Sequence, residues 1–132
     1  MDNSKRLTLE ALMAKAEQRK QEKYEIRQVE VPSLGGALQL EKIPLTRIAS
    51  MMDDLGDTSM SANLAFNVDL IYACCPMLRN TKLQAAYEVA GPTDIVCAVL
   101  GDNMMEINRI VAAILDMYGL ADVTGIKDAV KN

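Results

Sequence analysis

The sequence contains no histidine, no tryptophan and one phenylalanine. The first absence removes the side chain most used for proton transfer near neutral pH and for binding transition metals, so a catalytic role is the weaker class and no enzyme activity is expected. With so few large aromatics, the interior has to be filled by Leu, Ile, Val and Ala, helped by nine methionines whose thioether chains adapt to irregular space. Long apolar runs are missing too: none approaches the roughly 18 residues needed to cross a bilayer, so no membrane partner is expected. Positive charge is not in excess either, because eighteen Asp and Glu against fourteen Lys and Arg leave a net charge of −4. Without a basic field to attract phosphates, nucleic acid is not an expected partner.

The remaining composition describes a globular chain. Its 132 residues, half of them hydrophobic and 24% charged, fit one domain with a real core. Three cysteines are an odd number, and Cys74 and Cys75 are neighbours, between which a disulfide would close a strained ring. No signal-peptide pattern accompanies the polar start Met1 to Arg6, so free thiols in the cytosol are expected, buried as small hydrophobes. A zinc site would need a further ligand and better spacing, and neither a metal nor a cofactor is expected.

Charge is unevenly distributed. Residues 1–30 carry seven basic and six acidic groups, whereas residues 45–132 carry six and eleven in a stretch almost three times as long. Residues 1–23 therefore read as a charged, solvated helical arm, with Leu9, Leu12, Met13 and Ala16 at i, i+3, i+4 and i+7 and Thr8 available as N-cap. From Glu17 to Lys23 the sequence is almost purely polar, which leaves that stripe short.

Over residues 24–43 the period changes to two. Tyr24 and Ile26, and after a slip at Arg27-Gln28 also Val29 and Val31, alternate with Glu25 and Glu30. Pro32-Ser33-Leu34-Gly35-Gly36 is a turn cluster, and Leu38 and Leu40 alternate with Gln39 and Glu41 beyond it, so a β-hairpin is predicted. An isolated pair of strands is marginal in water; this one is expected to lay its apolar face on helices rather than extend its edge with a strand from another chain.

Residues 45–119 read as a helical body. Leu45, Ile48, Ala49, Met52 and Leu55 make one helical face, closed by Gly56. A helix from Ser59 to Cys75, ended by Pro76, has two apolar stripes: Met60, Leu64, Val68, Ile71 and Cys75 on one side, and Ala62, Phe66, Leu70 and Ala73 on the other. A helix apolar on two sides is buried on both, either inside the domain or by self-association, and self-association is expected. Shorter helices are predicted from Asn80 to Ala90 and from Thr93 or Asp94 to Leu100. The clearest begins at Asn103, paired with Glu106 in the manner of a capping box, and runs through Ile107, Ile110, Val111, Ile114, Leu115 and Tyr118 to Gly119 and Leu120. Residues 120–132 form a C-terminal tail, with Val123, Ile126 and Val130 at weak helical spacing. The predicted fold is thus mainly α, a small bundle of five or six helices with one N-terminal β-hairpin, in a single domain spanning 1–132.

No phosphate loop, dinucleotide fingerprint, nucleophile elbow or paired C-x-x-C is present, and no catalytic, cofactor-binding or metal-binding residue is assigned. The one adjacent carboxylate pair, Asp53-Asp54, sits at a helix end, where neighbours diverge by about 100° and cannot easily share a substrate. Asp57, Asp94 and Asp102 lie near helix starts and read as caps. Met51, Met52, Met60, Met104 and Met117 lie on or beside apolar stripes and are expected to fill the core; Met105 faces the other way.

Several short stretches in order carry a resemblance: Val29-Glu-Val-Pro-Ser-Leu-Gly-Gly, Leu40-Glu-Lys-Ile-Pro-Leu, Asn67-Val-Asp-Leu-Ile-Tyr-Ala-Cys-Cys-Pro-Met-Leu, Tyr87-Glu-Val-Ala-Gly-Pro-Thr-Asp-Ile-Val and Ala113-Ile-Leu-Asp-Met-Tyr-Gly-Leu. Over residues 8–130 the chain resembles the XkdN-like tail assembly chaperones of phages and phage-derived tail elements of Gram-positive bacteria. The resemblance implies a non-enzymatic protein of the host bacterial cytoplasm that binds the tape measure protein, with tail tube subunits as a second partner, and is absent from the mature virion. It also implies self-association, and it supplies no catalytic or binding residues to place on this sequence. The alternative is a structural tail subunit, a tube or connector component retained in the particle, although such proteins rely on more β-structure than one hairpin.

Overall fold

The computed structural model describes residues 6–22, 26–56 and 59–120. Tyr24 and Glu25 of the expected hairpin, the expected cap Asp57 and the whole of the tail from Ala121 onward, with Val123, Ile126 and Val130, lie outside the described residues.

The first helix, α1 (Leu9–Glu22), starts where Thr8 can cap it, and Thr8 Oγ1 accepts the Ala11 N–H at 3.1 Å. It continues through Glu17–Glu22, beyond the apolar stripe. Glu, Gln, Arg and Lys are good helix formers, and Arg19–Glu22 at 2.9 Å and Lys20–Glu17 at 3.5 Å pair across one turn. Such exposed pairs contribute only about 0.2–0.5 kcal/mol each.

Strands β1 (Arg27–Val31) and β2 (Gly36–Leu40) form the antiparallel hairpin, with Val31 opposite Gly36, Val29 opposite Leu38 and Arg27 opposite Leu40. Val29, Val31, Leu38 and Leu40 are buried, while Gln28, Glu30 and Gln39 point to solvent, so the predicted face is the one laid on the core. Pro32–Leu34 make a 3-10 turn, and Gly35 takes the left-handed conformation (φ 69°) that closes it. Ile26 lies ahead of the first strand and is exposed. Pairing reaches no further because the chain after Leu40 turns away, the Glu41 N–H donating to the Cys74 carbonyl at 2.8 Å.

The body consists of α2 (Leu45–Asp53), α3 (Met60–Cys74), α4 (Thr81–Ala86), α5 (Ile95–Val99) and α6 (Met104–Asp116), with 3-10 turns at Pro76–Arg79 and Pro92–Asp94. Side-chain oxygens cap three of these helices: Ser59 accepts from the Ala62 N–H, Asn80 from Lys82 and Leu83, and Asn103 from Glu106. At the end of α6, Gly119 is left-handed (φ 72°) and the Leu120 N–H donates to the Leu115 carbonyl at 3.0 Å, a Schellman closure. Helix α4 stops four residues before the Ala90 expected of it. Glu88 adopts a left-handed conformation (φ 53°), and the resulting turn brings Val89 back against the core.

Helix α3 is the centre of the domain. It packs against α2, α5, α6 and both 3-10 turns of the body, burying Phe66, Leu70, Ile71, Ala73 and Cys74. Of its two apolar sides, Phe66, Leu70 and Ala73 on one and Ile71 and Cys75 on the other are buried, whereas Ala62, Leu64 and Val68 are half-buried and Met60 is exposed. Ile110, Ile114 and Leu115 of α6 complete the core together with Ile95 and Leu78. The fold is mainly α, a small helical bundle with an N-terminal hairpin.

Two methionines depart from the core-filling expectation. Met60 and Met104 are the first residues of α3 and α6, where the side chain extends past the last packed turn, and they are 77% and 37% exposed. Met117 is buried, and Met51 and Met52 are half-buried against the core.

Candidate partner-binding site

The reactive groups of the interior are held inert. Burial pushes the Cys74 thiol up to about 11 despite the nearby Arg47 and Arg79 guanidinium groups, and burial together with the neighbouring Cys74 pushes Cys75 up to about 12. Cys97 is half-buried and is also raised, first by burial and then by Asp102 and Asp94. Thiols this far above neutral pH stay protonated and are poor nucleophiles.

The buried carboxylate of Glu106 is committed to structure. Its two oxygens accept the Ser33 hydroxyl at 2.6 Å and the Ser33 N–H at 3.1 Å. The sequence pairs Glu106 with Asn103 in a capping box, but only half of that box forms: the Asn103 side chain accepts the Glu106 N–H, and the Glu106 carboxylate reaches the hairpin tip. At the far end of α6, the Tyr118 hydroxyl accepts the Ile43 N–H at 2.7 Å and donates to the Ile43 carbonyl at 2.6 Å, and Lys42 Nζ stands 5.4 Å from the centre of its ring. Burial raises the Tyr118 hydroxyl above its ordinary range.

The remaining carboxylates are peripheral. Asp53 and Asp54 are exposed at the end of α2. Asp94 does not cap α5, which it precedes, since its side chain makes no capping bond there; it accepts the Gly91 N–H at 2.9 Å, three residues upstream. Asp102 does not cap α6; it occupies a left-handed turn position (φ 55°) beside Gly101, and Asn103 is the cap. Among the described residues, no three or more His, Cys, Asp or Glu are grouped so that they could hold a metal ion, and no helix is long and apolar enough to cross a membrane.

Exposed apolar side chains occur at several places, Leu45, Met60 and Met77 among them. Helix α1 has no buried residue, and Leu9, Leu12 and Met13 are 72%, 55% and 66% exposed on one side of it. A smaller group lies where Ser33 joins Glu106: Leu34 at the hairpin tip and Met105 at the start of α6, each next in sequence to one of that bonded pair, are both exposed. The i, i+3, i+4, i+7 spacing in α1 is the sequence signal for this exposed apolar row. The structure leaves α1 exposed, in keeping with the solvated arm read from its charge, and a stripe facing solvent has the same sequence period as one facing the core. Comparison with family models, curated proteins and solved structures returns no match.

Proposed function

We propose that this chain is a phage tail assembly chaperone that binds the tape measure protein, with tail tube subunits as a second partner, in the cytoplasm of the host bacterium before assembly. The observation that carries the reading is the open stripe of α1, where two leucines and a methionine stand more than half exposed on a helix with no buried residue among those described. A row of exposed apolar side chains on one face of a helix favours an interaction role. The ordered short resemblances between residues 8 and 130 supply the partner's identity. A long, helix-prone tape measure chain aggregates unless its apolar stripes are covered, and weak, adaptable Leu, Met and Ala contacts repeated along it can cover them and still be displaced by tube subunits. The chain's net charge of −4 adds repulsion between coated complexes.

Co-expression tests the reading. The tape measure protein should be soluble and co-purify with this chain, and precipitate without it; equal solubility in both cases would overturn the proposal. Mass spectrometry of purified particles separates it from the structural-subunit alternative, because a chaperone is absent from them and a tube or connector component is present.

A further inference from the structure

We infer that the C-terminal end of α3 carries a docking point for an acidic segment of a partner protein, whose carboxylate meets the free edge of the Arg79 guanidinium while Lys42 and Arg47 add positive charge around it. The inference stands apart from the α1 reading and from the identity of the partner proposed above. Hydrogen bonds bring the cations to this place. Arg79 Nη1 donates to the carbonyls of Ala73 at 2.8 Å and Tyr72 at 3.1 Å, in the last turn of α3. The Glu41 N–H donates to the next carbonyl, that of Cys74, so Lys42 leaves the hairpin at the same helix end, where its Nζ stands over the Tyr118 ring. Arg47 of α2 is near enough to the Cys74 thiol to act on it electrostatically, as Arg79 does. All three cations are exposed. Both ion pairs among the described residues lie in α1, so none of the three has a carboxylate partner there, although Glu41 is next to Lys42 in sequence.

The way Arg79 is held selects the ligand. Two backbone carbonyls engage its Nη1, which fixes the plane of the guanidinium, and no hydrogen bond joins Nε or Nη2 to the described residues. Those two nitrogens form the edge that receives both oxygens of a carboxylate in parallel bonds, and a fork already oriented loses less side-chain freedom on binding. The chain as a whole carries a net charge of −4, so its field opposes an extended polyanion such as nucleic acid. A short acidic segment touches only the local patch. Exposed apolar side chains border that patch, Met77 two residues before Arg79 and Leu45 two residues before Arg47, at 59% and 56% exposure. A protein segment covers them as it pairs with the arginines, whereas a free anion leaves them in water.

The test uses the isotope-labelled full chain, inorganic phosphate and two synthetic peptides of equal length, one with a Glu-rich stretch beside a Leu and the other with Gln at the Glu positions. The Glu peptide should shift the Arg79 Nε–H resonance together with the amides around Lys42, Arg47 and Arg79. It should bind about tenfold or more tightly than the Gln peptide and lose that advantage as salt is raised. Arg47→Gln removes a side chain that is in neither ion pair of the described residues, so it should weaken the Glu peptide about threefold or more at an unchanged urea midpoint. Arg79→Lys keeps the charge without the fork and should weaken it at least as much. Equal binding of the two peptides, shifts centred elsewhere, or an Arg47→Gln chain that binds as the unaltered one does would each overturn the inference. Inorganic phosphate that binds as tightly as the Glu peptide would overturn it as well, by assigning the patch to a free anion.

Discussion

Ser33 and Glu106, 73 residues apart, are joined twice: the serine hydroxyl donates to one carboxylate oxygen at 2.6 Å and the serine N–H to the other at 3.1 Å. This clasp fixes the tip of the hairpin to the first turn of α6. Tyr118 holds the other end of α6 against the hairpin exit through Ile43. The strands are thus fastened to one helix at both ends, which supplies the support that a two-stranded sheet lacks by itself.

Removing the carboxylate leaves the Ser33 hydroxyl and N–H without their partner and replaces charge-assisted bonds with none. Glu106→Ala should destabilise the chain by about 2 kcal/mol and Ser33→Ala by about 1 kcal/mol, the latter retaining the N–H bond. Urea unfolding of both single variants and the double variant measures the pair. The double variant should lose less than the sum of the two, and strict additivity would mean that the clasp contributes nothing as a unit.

Tyr118→Phe removes one oxygen that both accepts and donates, leaving the Ile43 N–H and carbonyl unpaired in a partly buried place. A loss of about 1–2 kcal/mol is expected, with the urea midpoint lowered and the slope unchanged. A midpoint equal to that of the unaltered chain would show that solvent replaces the hydroxyl at no cost.

Stability should fall on the alkaline side. Cys74 and Cys75 ionise near 9.0 when unfolded but are pushed up to about 11 and about 12 in the fold, so above pH 9 the unfolded chain releases thiol protons that the folded chain keeps. The unfolded state then binds fewer protons, and folding free energy declines as pH rises, by roughly 1 kcal/mol per thiol one unit above the ordinary value. Tyr118, whose hydroxyl burial also raises, adds to the decline above its ordinary value of 10.0. Urea midpoints at pH 8 and pH 10 check this, and the Cys74→Ala/Cys75→Ala variant should show a smaller drop between the two.

Two leucines of the same type should respond in opposite ways. Leu70→Ala opens a cavity in the core at a fully buried position of α3 and should cost about 2–5 kcal/mol. Leu12→Ala, at a position 55% exposed, should stay within about 0.5 kcal/mol of the unaltered chain. A large loss at Leu12 in calorimetry or urea unfolding would mean that α1 is packed against the body.

The sequence by itself determined the local elements of this protein. Val29, Val31, Leu38 and Leu40 alternate with polar residues and bury the face that their alternation predicts; Ser59, Asn80 and Asn103 cap the helices they precede; and Gly119 closes α6. Each of these rests on a hydrogen bond or a periodicity spanning a few residues, which the order of side chains along the chain specifies directly. Tertiary structure alone decided that Glu106 completes the hairpin tip rather than its own capping box, and that Tyr118 grips Ile43 from 75 residues away. It also decided that both sides of α3 bury residues in one domain, while no residue of α1 is buried. An apolar stripe records only that burial is favourable; which surface provides it depends on the path of the chain between distant elements, and that path follows from the packing of the whole core.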